Sequence, residues 1–287
     1  MKMRRDLRRK KKQRNKEVTT KKLPKEFSEM YPDLKKEGWG TNELTQQIDN
    51  SFCNIGTSFI NLKSYFKLLE KAWEIFNDVN KLLSFSTLDG LIAISLVGRT
   101  AGCFLGAVRL SCSGQLTETW VLLRACLENS LYAFYIFKNP ERAEIWSKRH
   151  SGGEESVKEC KSTFVIRKIW DELAQKSKDV AKEVGKWYDT SIDFGGHPNE
   201  RSIFQNLERK QNGDGFNFKI INPDPAFMRS TIISTVIISS IVLRIFSLTF
   251  QDSLSQPNLA IKLQNLNNES RPLMYSTAME LRKLQIE

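Results

Sequence analysis

The hydrophobic positions between residues 42 and 83 follow a heptad repeat, which is the strongest periodicity in the chain. They alternate at spacings of four and three residues: Ile48, Phe52, Ile55, Phe59, Leu62, Phe66, Leu69, Trp73 and Phe76. This spacing places all of them on one face of a helix. The pattern therefore predicts a single helix over residues 42–83, about 60 Å long at 1.5 Å per residue. We expect it to pack within a bundle, and a homodimeric coiled coil is the alternative.

Further apolar segments, separated by helix breakers, predict more helices. Their expected ranges are 86–112, 115–138, 140–150, 154–188, 225–252, 257–266 and 273–285. Proline and paired glycines mark several of the boundaries, as at Asn139-Pro140 and Gly152-Gly153. A loop is expected over 189–200, and the turn sequence 212–215 predicts a β-hairpin near 203–222. The fold class is all-α: a multi-helix bundle of long antiparallel helices with a small β-hairpin insertion.

The domain organisation follows from shifts in composition along the chain. Residues 1–22 are polybasic and predict a disordered tail, and residues 23–41 contain Pro24, Pro32, Gly38 and Gly40, as a linker would. Residues 42–252 form the predicted helical bundle domain, and 253–287 a C-terminal helical extension.

Two apolar stretches raise the question of a membrane span. Residues 90–108 are interrupted by Arg99, and residues 230–243 are bounded by Arg229 and Arg244. Because a spanning helix needs about 20 predominantly apolar residues, both are predicted to be buried core helices. Within the first, Gly98, Gly102 and Gly106 fall on one stripe. Glycine weakens a helix, so this row predicts that another backbone passes close by.

Positive charge is concentrated at the N-terminus. Residues 1–22 contain twelve Lys or Arg and two acidic residues, a net charge of +10, whereas the whole chain carries +11. The residues expected to contact phosphates are Arg4, Arg5, Arg8, Arg9, Lys10, Lys11, Lys12 and Arg14. Such a block predicts sequence-tolerant binding of nucleic acid, RNA more readily than DNA. An anionic membrane surface is the alternative partner.

Cysteine and histidine usage argues against a metal site. The five cysteines are widely spaced, no Cys-x-x-Cys pair occurs, and the chain has only two histidines. We therefore predict no metal and no cofactor, and free thiols in a reducing, cytoplasmic compartment. No nucleotide-binding loop, hydrolase elbow or zinc-protease motif is present either.

The sequence offers two candidate constellations for chemistry. Arg124 and Glu128 stand one helical turn apart among apolar residues, as either a structural ion pair or an anion anchor with a base, and Arg99 could join them. Tyr188 and His197 flank a glycine-rich loop, Asp193-Phe194-Gly195-Gly196-His197. His197 could transfer protons near neutral pH, or merely cap the preceding helix. The catalytic candidates are thus His197, Glu128 and Arg124, with Arg99 and Tyr188 as pocket candidates.

The two constellations together resemble a group of uncharacterised bacterial helical proteins catalogued as a domain of unknown function. The match lies on Leu122, Arg124, Glu128, Tyr188 and the pair His197-Pro198, within roughly residues 85–250. The resemblance implies an all-helical intracellular bundle and no particular reaction. A weaker resemblance is to HEPN-type helical proteins, many of which bind or cut RNA in bacterial defence and toxin systems. Their signature places Arg shortly before His in a helix, whereas here Arg201 follows His197.

Three functions remain open from the sequence. The first expectation is an intracellular bacterial protein that associates with nucleic acid through its tail, in a defence or mobile-element setting. The second is a metal-independent ribonuclease, or another enzyme with a phosphate-bearing substrate, that uses an Arg/Glu/His pocket. The third is a structural or interaction protein that dimerises through a helix seam.

Overall fold

The computed structural model describes residues 31–196, 199–210 and 214–284. The predicted tail, residues 1–22, and His197 both lie outside these described residues. The chain divides into two compact units, one ending at Thr57 and the other beginning at Ser58.

The described part of the first unit contains a short helix α1, Pro32–Lys36, and the beginning of helix α2, Glu43–Asn61. The side chain of Asn42 accepts a hydrogen bond of 3.0 Å from the Thr45 amide, as an N-cap residue does. The Trp39 indole donates to the Asp49 carboxylate at 2.8 Å. This bond fixes the segment before α2 against the helix itself.

The heptad repeat is divided between two helices. Helix α2 ends at Asn61, and α3, Lys63–Leu82, begins after Leu62, whose φ of −115° and ψ of 39° are not helical. The prediction of one continuous helix over 42–83 is therefore wrong at this residue. The seam positions Leu69 and Phe76 on α3 are buried, so α3 packs as a bundle helix. Periodicity reports which face is apolar, and it continues across a local break of this kind.

Three long helices form the core of the second unit. Helix α4, Leu88–Ser113, ends where Gly114 adopts a left-handed φ of 90°. Helix α5, Leu116–Ile136, packs against α4 on one side and against α11, Pro225–Thr249, on another. Asp224 caps α11 by accepting from the Ala226 amide at 2.8 Å. The largest fully buried side chains include Phe104, Leu127 and Phe246.

Two of the described helices, α4 and α11, are long and apolar enough to cross a membrane by length and composition. Their most apolar windows have mean hydropathies of 1.8 and 2.0, and 44% and 78% of those windows are buried within the fold. Helix α11 is thus mostly enclosed by protein, as a core helix is. Helix α4 leaves one face open.

The glycine row lies on that open face of α4. A Cβ atom added to Gly98 or Gly102 would meet no atom of the described residues within 4 Å. The prediction that another backbone passes close to the row is therefore wrong at these two positions. Only at Gly106 is the space limited, because an added Cβ would lie 2.7 Å from Cδ1 of Leu122.

The region predicted as one helix over 154–188 contains three. After α6, Pro140–Ser147, come α7, Gly153–Thr163, α8, Ile166–Lys176, and α9, Lys178–Ser191. The breaks are local, since Ser177 caps α9 through the Val180 amide and Phe164 is buried at the end of α7. In place of the predicted loop, α9 continues into a π-helical segment, Ile192–Gly196. A short α10, Glu200–Phe204, follows, with Asn199 and Ser202 forming a capping box.

The β-hairpin and the C-terminal helix complete the second unit. Strands β1, Leu207–Arg209, and β2, Phe216–Phe218, pair antiparallel, with Leu207 opposite Phe218. After α12, Gln251–Leu254, one helix α13 runs from Pro257 to Leu284 with Pro272 inside it, where two shorter helices were predicted. Helix α13 packs on α3, and the hydroxyls of Tyr65 and Thr277 are 2.8 Å apart. The predicted fold class, an all-α bundle with a small hairpin, is confirmed.

Candidate functional site

One face of α5 carries the residues that the sequence marks as candidates. Trp120, Arg124, Glu128 and Tyr132 recur every four residues, so they form a stripe along the helix. Helix α9 lies across this stripe and brings Trp187 and Tyr188 to it. Two side chains some sixty residues distant in sequence thus complete a site whose first half is local.

Arg124, Glu128 and Tyr188 form a closed triad of hydrogen bonds. Arg124 Nε donates to Glu128 Oε1 at 2.8 Å, and Arg124 Nη2 donates to the Tyr188 hydroxyl at 3.1 Å. That hydroxyl in turn donates to Glu128 Oε1 at 3.0 Å. The Arg124 guanidinium also lies 5.1 Å from the centre of the Tyr188 ring. Each member therefore holds the other two in place.

The triad is partly open to solvent. The side chains of Arg124 and Glu128 are 26% and 35% exposed, whereas Tyr188 is 9% exposed. Burial raises the pKa of Tyr188, and the neighbouring Glu128 carboxylate raises it further. Burial acts to lower the pKa of Arg124, but the hydrogen bond and charge of Glu128 outweigh it and the pKa rises. At neutral pH Arg124 is thus a cation and Tyr188 a neutral phenol.

Two buried N–H groups without a partner belong to residues that contact Tyr188 or act on Tyr132, which follows Glu128 by one helical turn. Trp170 packs edge-on to Tyr188 with ring centres 5.7 Å apart, and its buried Nε1 has no hydrogen-bond partner in the described structure. The same is true of Nε of Arg149, whose charge acts on Tyr132. A buried donor without a partner costs free energy, so these N–H groups mark places where an acceptor could be received.

Replacing Glu128 by Gln is expected to lower the pKa of Tyr188 towards the ordinary tyrosine value of about 10, because the charge that opposes tyrosinate formation disappears. The measurement is tyrosinate absorbance during a titration from pH 8 to 12. The Tyr188→Phe variant identifies which part of the signal belongs to this residue. An unchanged late-titrating phase in Glu128→Gln would show that Glu128 does not control Tyr188.

The other predicted site residues are not joined to the triad in the described structure. Arg99 lies on the exposed face of α4 and acts on Cys103, and no hydrogen bond among the described residues links it to Arg124 or Glu128. His197 and the eight basic residues of the tail, Arg4 to Arg14, lie outside the described residues. Their roles stay predictions.

An aromatic pocket adjoins the triad, and it was not predicted from the sequence. Trp120 stacks on Trp187 at 6.3 Å and on Phe194 at 5.3 Å between ring centres. With Phe227 these rings border a cavity of about 310 Å³, which we call the aromatic pocket. The remaining lining residues are Thr190, Gln205, Ser230, Thr231, Ser234 and Leu281. The available signal was the pair Trp187 and Phe194, two aromatic residues just before and within the predicted loop 189–200.

A hydrogen-bond network anchors one wall of the aromatic pocket to the start of α5. The Thr117 hydroxyl donates to the Ser202 carbonyl at 3.2 Å and accepts from the side-chain amides of Gln205 and Asn206, both at 2.8 Å. The second N–H of Gln205 reaches the Phe194 carbonyl at 3.2 Å. Thr117 therefore ties the π-helical segment and α10 to α5.

Cys103 is a thiol with an unusual pKa on α4. A hydrogen bond from the Cys126 thiol lowers the pKa of Cys103, burial opposes this, and the charge of Arg99 lowers it further, to about 7. By contrast, burial raises the pKa of Cys112 to about 12. Cys103, Cys112, Cys126 and Cys160 form no disulfide with the described residues. Cys103 is thus half-ionised near neutral pH, where a thiolate is a nucleophile.

Alkylation of Cys103 by iodoacetamide is expected to rise about fivefold between pH 6 and pH 7, because the thiolate fraction rises through a pKa of about 7. Above pH 8 the rate for Cys103 should level off. An ordinary thiol, whose pKa is about 8.5, still gains reactivity there because much of it is not yet ionised. Mass spectrometry of the peptide that contains Cys103 measures the alkylation rate at each pH, with Cys103→Ser as the control. A midpoint near pH 8.5 would contradict the argument.

The described residues contain no group of three or more His, Cys, Asp or Glu side chains arranged to hold a metal ion.

Comparison with known proteins finds one family model, which carries no known activity. No curated protein and no solved structure matches the chain. The span from the first turn of α4 to the hairpin, which contains Arg124, Glu128 and Tyr188, does match a family model. Residues 90–212 are similar to a family of unknown function (DUF5677), which confirms the resemblance to an uncharacterised domain family.

Proposed function

We propose that this protein associates with nucleic acid, RNA more than DNA, through its polybasic N-terminal residues and without strong sequence preference. The observation that carries the proposal is the division of charge: residues 1–22 hold +10 of the net +11. A bacterial cytoplasmic setting, in defence or in a mobile element, belongs to the same proposal.

The ion pairs of the described residues support the assignment of phosphate binding to residues 1–22. Many cations of the second unit are paired with carboxylates: Lys71 with Glu269, Arg142 with Glu172, Arg229 with Glu280, Arg244 with Glu183, and Lys262 with Asp78. A paired cation attracts phosphate weakly, since its partner repels the phosphate. The polybasic residues therefore supply the main uncompensated positive charge.

Counterion release sets the expected strength of this association. Contact of the eight basic residues with single-stranded phosphates gives a slope of about −5 to −6 in log affinity against log salt concentration. Between 50 and 200 mM salt the affinity should then fall about a thousandfold. The tail contains no aromatic residue to stack on bases, so sequence preference should be weak.

The test compares the full chain with a chain beginning at Leu23 and with a full-length variant in which the eight basic residues are Gln. Binding to a 12-nucleotide RNA and DNA is measured by fluorescence anisotropy across a salt series. The expected result is a steep slope for the full chain and a loss of at least about a hundredfold at 100 mM salt for both variants. Equal binding by all three would overturn the proposal. Binding to anionic vesicles but not to RNA would assign the tail to a membrane surface.

A metal-independent ribonuclease or another phosphate-substrate enzyme is the second candidate. It is favoured by the partly exposed triad of Arg124, Glu128 and Tyr188, beside the unpartnered donors of Trp170 and Arg149. In this function Arg124 anchors a phosphate of the substrate. Glu128 either orients Arg124 or accepts a proton as a base, and His197 transfers a proton. RNA shortened in the presence of EDTA by the full chain, but not by Arg124→Ala or His197→Ala, would support it. Intact RNA with all three proteins would exclude it.

A further inference from the structure

We propose that the aromatic pocket binds a nucleobase that carries an exocyclic amino group, as adenine, cytosine and guanine do. The pocket is proposed as a second site, in addition to the polybasic residues. The choice of a nucleobase, rather than another planar amine, rests on the proposed association with nucleic acid.

The walls of the aromatic pocket suit a planar ring. Trp187 and Phe194 both stack on the buried Trp120 ring, at 15° and 24° from parallel, so Trp120 holds these two rings in place. Trp187, Phe194 and Phe227 are only half-buried, which leaves ring surface open to a ligand. Aromatic side chains in such arrangements stack on bases.

The size and charge of the aromatic pocket limit the ligand further. Its volume of about 310 Å³ is at the small end of ligand sites, which run from about 300 to 1,000 Å³. Among the described residues that line it there is no Asp, Glu, Lys or Arg. The group held inside is thus small and uncharged, and a phosphate attached to it would stay outside.

The hydrogen-bonding groups of the aromatic pocket are mostly acceptors. Each of three lining hydroxyls donates its only proton to a backbone carbonyl one helical turn earlier: Thr190 to Lys186 at 2.8 Å, Thr231 to Phe227 at 3.0 Å, and Ser234 to Ser230 at 2.8 Å. Such an oxygen has only lone pairs left for a ligand.

Gln205 is in the same situation. Both protons of its side-chain amide are committed, one to Thr117 Oγ1 and one to the Phe194 carbonyl, so its Oε1 remains as an acceptor. The Ser230 hydroxyl and the indole N–H groups of Trp120 and Trp187 form no hydrogen bond within the described structure, and they are the donors of the lining. A ligand that satisfies the four acceptors must donate N–H groups, and an exocyclic amine supplies two.

A cation stands near one of the stacking rings. Lys186 Nζ lies 5.6 Å from the centre of the Trp187 ring, and it forms no ion pair with the described residues. A phosphate on a nucleotide stacked against Trp187 could be paired by this ammonium group. We therefore expect a nucleotide to bind better than the free base.

The test uses the full chain and three mononucleotides: AMP, purine riboside 5′-monophosphate, which lacks only the amino group, and UMP. Binding is measured by isothermal titration calorimetry at 0.5 M salt, where the polybasic residues are screened. AMP should bind about 3- to 10-fold more tightly than purine riboside 5′-monophosphate, because a hydrogen bond is lost with the amine. UMP should bind more weakly than AMP for the same reason.

Two variants locate the binding in the aromatic pocket. Trp187→Leu should weaken AMP about tenfold or more through loss of stacking. Thr190→Val keeps the shape of a half-buried side chain and removes one acceptor, so it should weaken AMP about threefold and leave purine riboside 5′-monophosphate unchanged. Trp39→Leu, in the first unit, is the matched control and should leave AMP affinity unaltered.

The outcomes separate this inference from the proposed function. Absence of AMP binding, or equal affinity for AMP and purine riboside 5′-monophosphate, overturns the pocket assignment even when RNA binding by the tail is retained. A chain beginning at Leu23 that binds AMP but not RNA supports both assignments. AMP binding by the full chain without any salt-dependent RNA binding supports the pocket and overturns the role of the tail.

Discussion

Gly195→Ala is expected to lower the free energy of unfolding by about 2–3 kcal/mol. An added Cβ atom would lie 2.4 Å from the Thr117 carbonyl oxygen and 2.7 Å from the Trp120 Cβ atom. The first of these is backbone in the opening turn of α5, which cannot rotate away as a side chain could. The π-helical segment would therefore have to move, and the stacking of Phe194 on Trp120 would be disturbed.

Chemical denaturation in urea, followed by far-UV circular dichroism, measures this loss as a lower midpoint. Gly102→Ala is the matched control, because that helical position is open. It should raise stability by about 0.5–1 kcal/mol through helix propensity. An unchanged midpoint for Gly195→Ala would mean that the segment 192–196 is not held against α5 as described.

Thr117→Val should cost about 2–4 kcal/mol, since one hydroxyl serves three partners. Removal of the Thr117 oxygen leaves the side-chain amides of Gln205 and Asn206 and the Ser202 carbonyl without that partner. Asn206 is 4% exposed, so water cannot readily replace the lost bond. Valine keeps the shape of threonine, which confines the effect to hydrogen bonding.

The measurement is again the urea midpoint, together with AMP affinity, because Gln205 lines the aromatic pocket. Thr235→Val is the matched control. Its buried hydroxyl donates only to the carbonyl of Thr231 in the same helix, so its loss should cost less than about 1 kcal/mol. Thr117→Ser, which retains the hydroxyl, should recover most of the stability. An equal loss of unfolding free energy in Thr117→Val and Thr235→Val would show that the Thr117 hydroxyl does not hold α10 and the π-helical segment to α5.

The sequence predicted the long core helices well because their boundaries have strong local signals. Gly114 ends α4, Asn139 caps α6 with Pro140 behind it, and Asp224 caps α11 with Pro225 in its first turn. The break at Leu62 and the division of 154–188 were missed. At those places no proline or glycine interrupts the chain, and burial of Leu62 and Phe164 favours the break instead.

In the candidate site, too, local contacts could be predicted from the sequence and contacts between distant helices could not. The pairing of Arg124 with Glu128 follows from a spacing of four residues in a helix, so the sequence could predict it. Tyr188 could be named as a pocket candidate from its loop, but its bonds to both residues depend on how α9 crosses α5. The family match over 90–212 covers the triad and stops short of α11, which supplies four residues to the aromatic pocket.

By itself the sequence determined the helical class, the concentration of charge in residues 1–22 and the local ion pair on α5. Each depends on composition or on contacts within one or two helical turns, where spacing along the chain fixes distance in space. Tertiary structure alone decided that Gly98 and Gly102 face open space and that Trp120, Trp187, Phe194 and Phe227 enclose a cavity. Those features arise from packing between elements far apart in sequence, and periodicity within one element carries no information about which neighbour covers it.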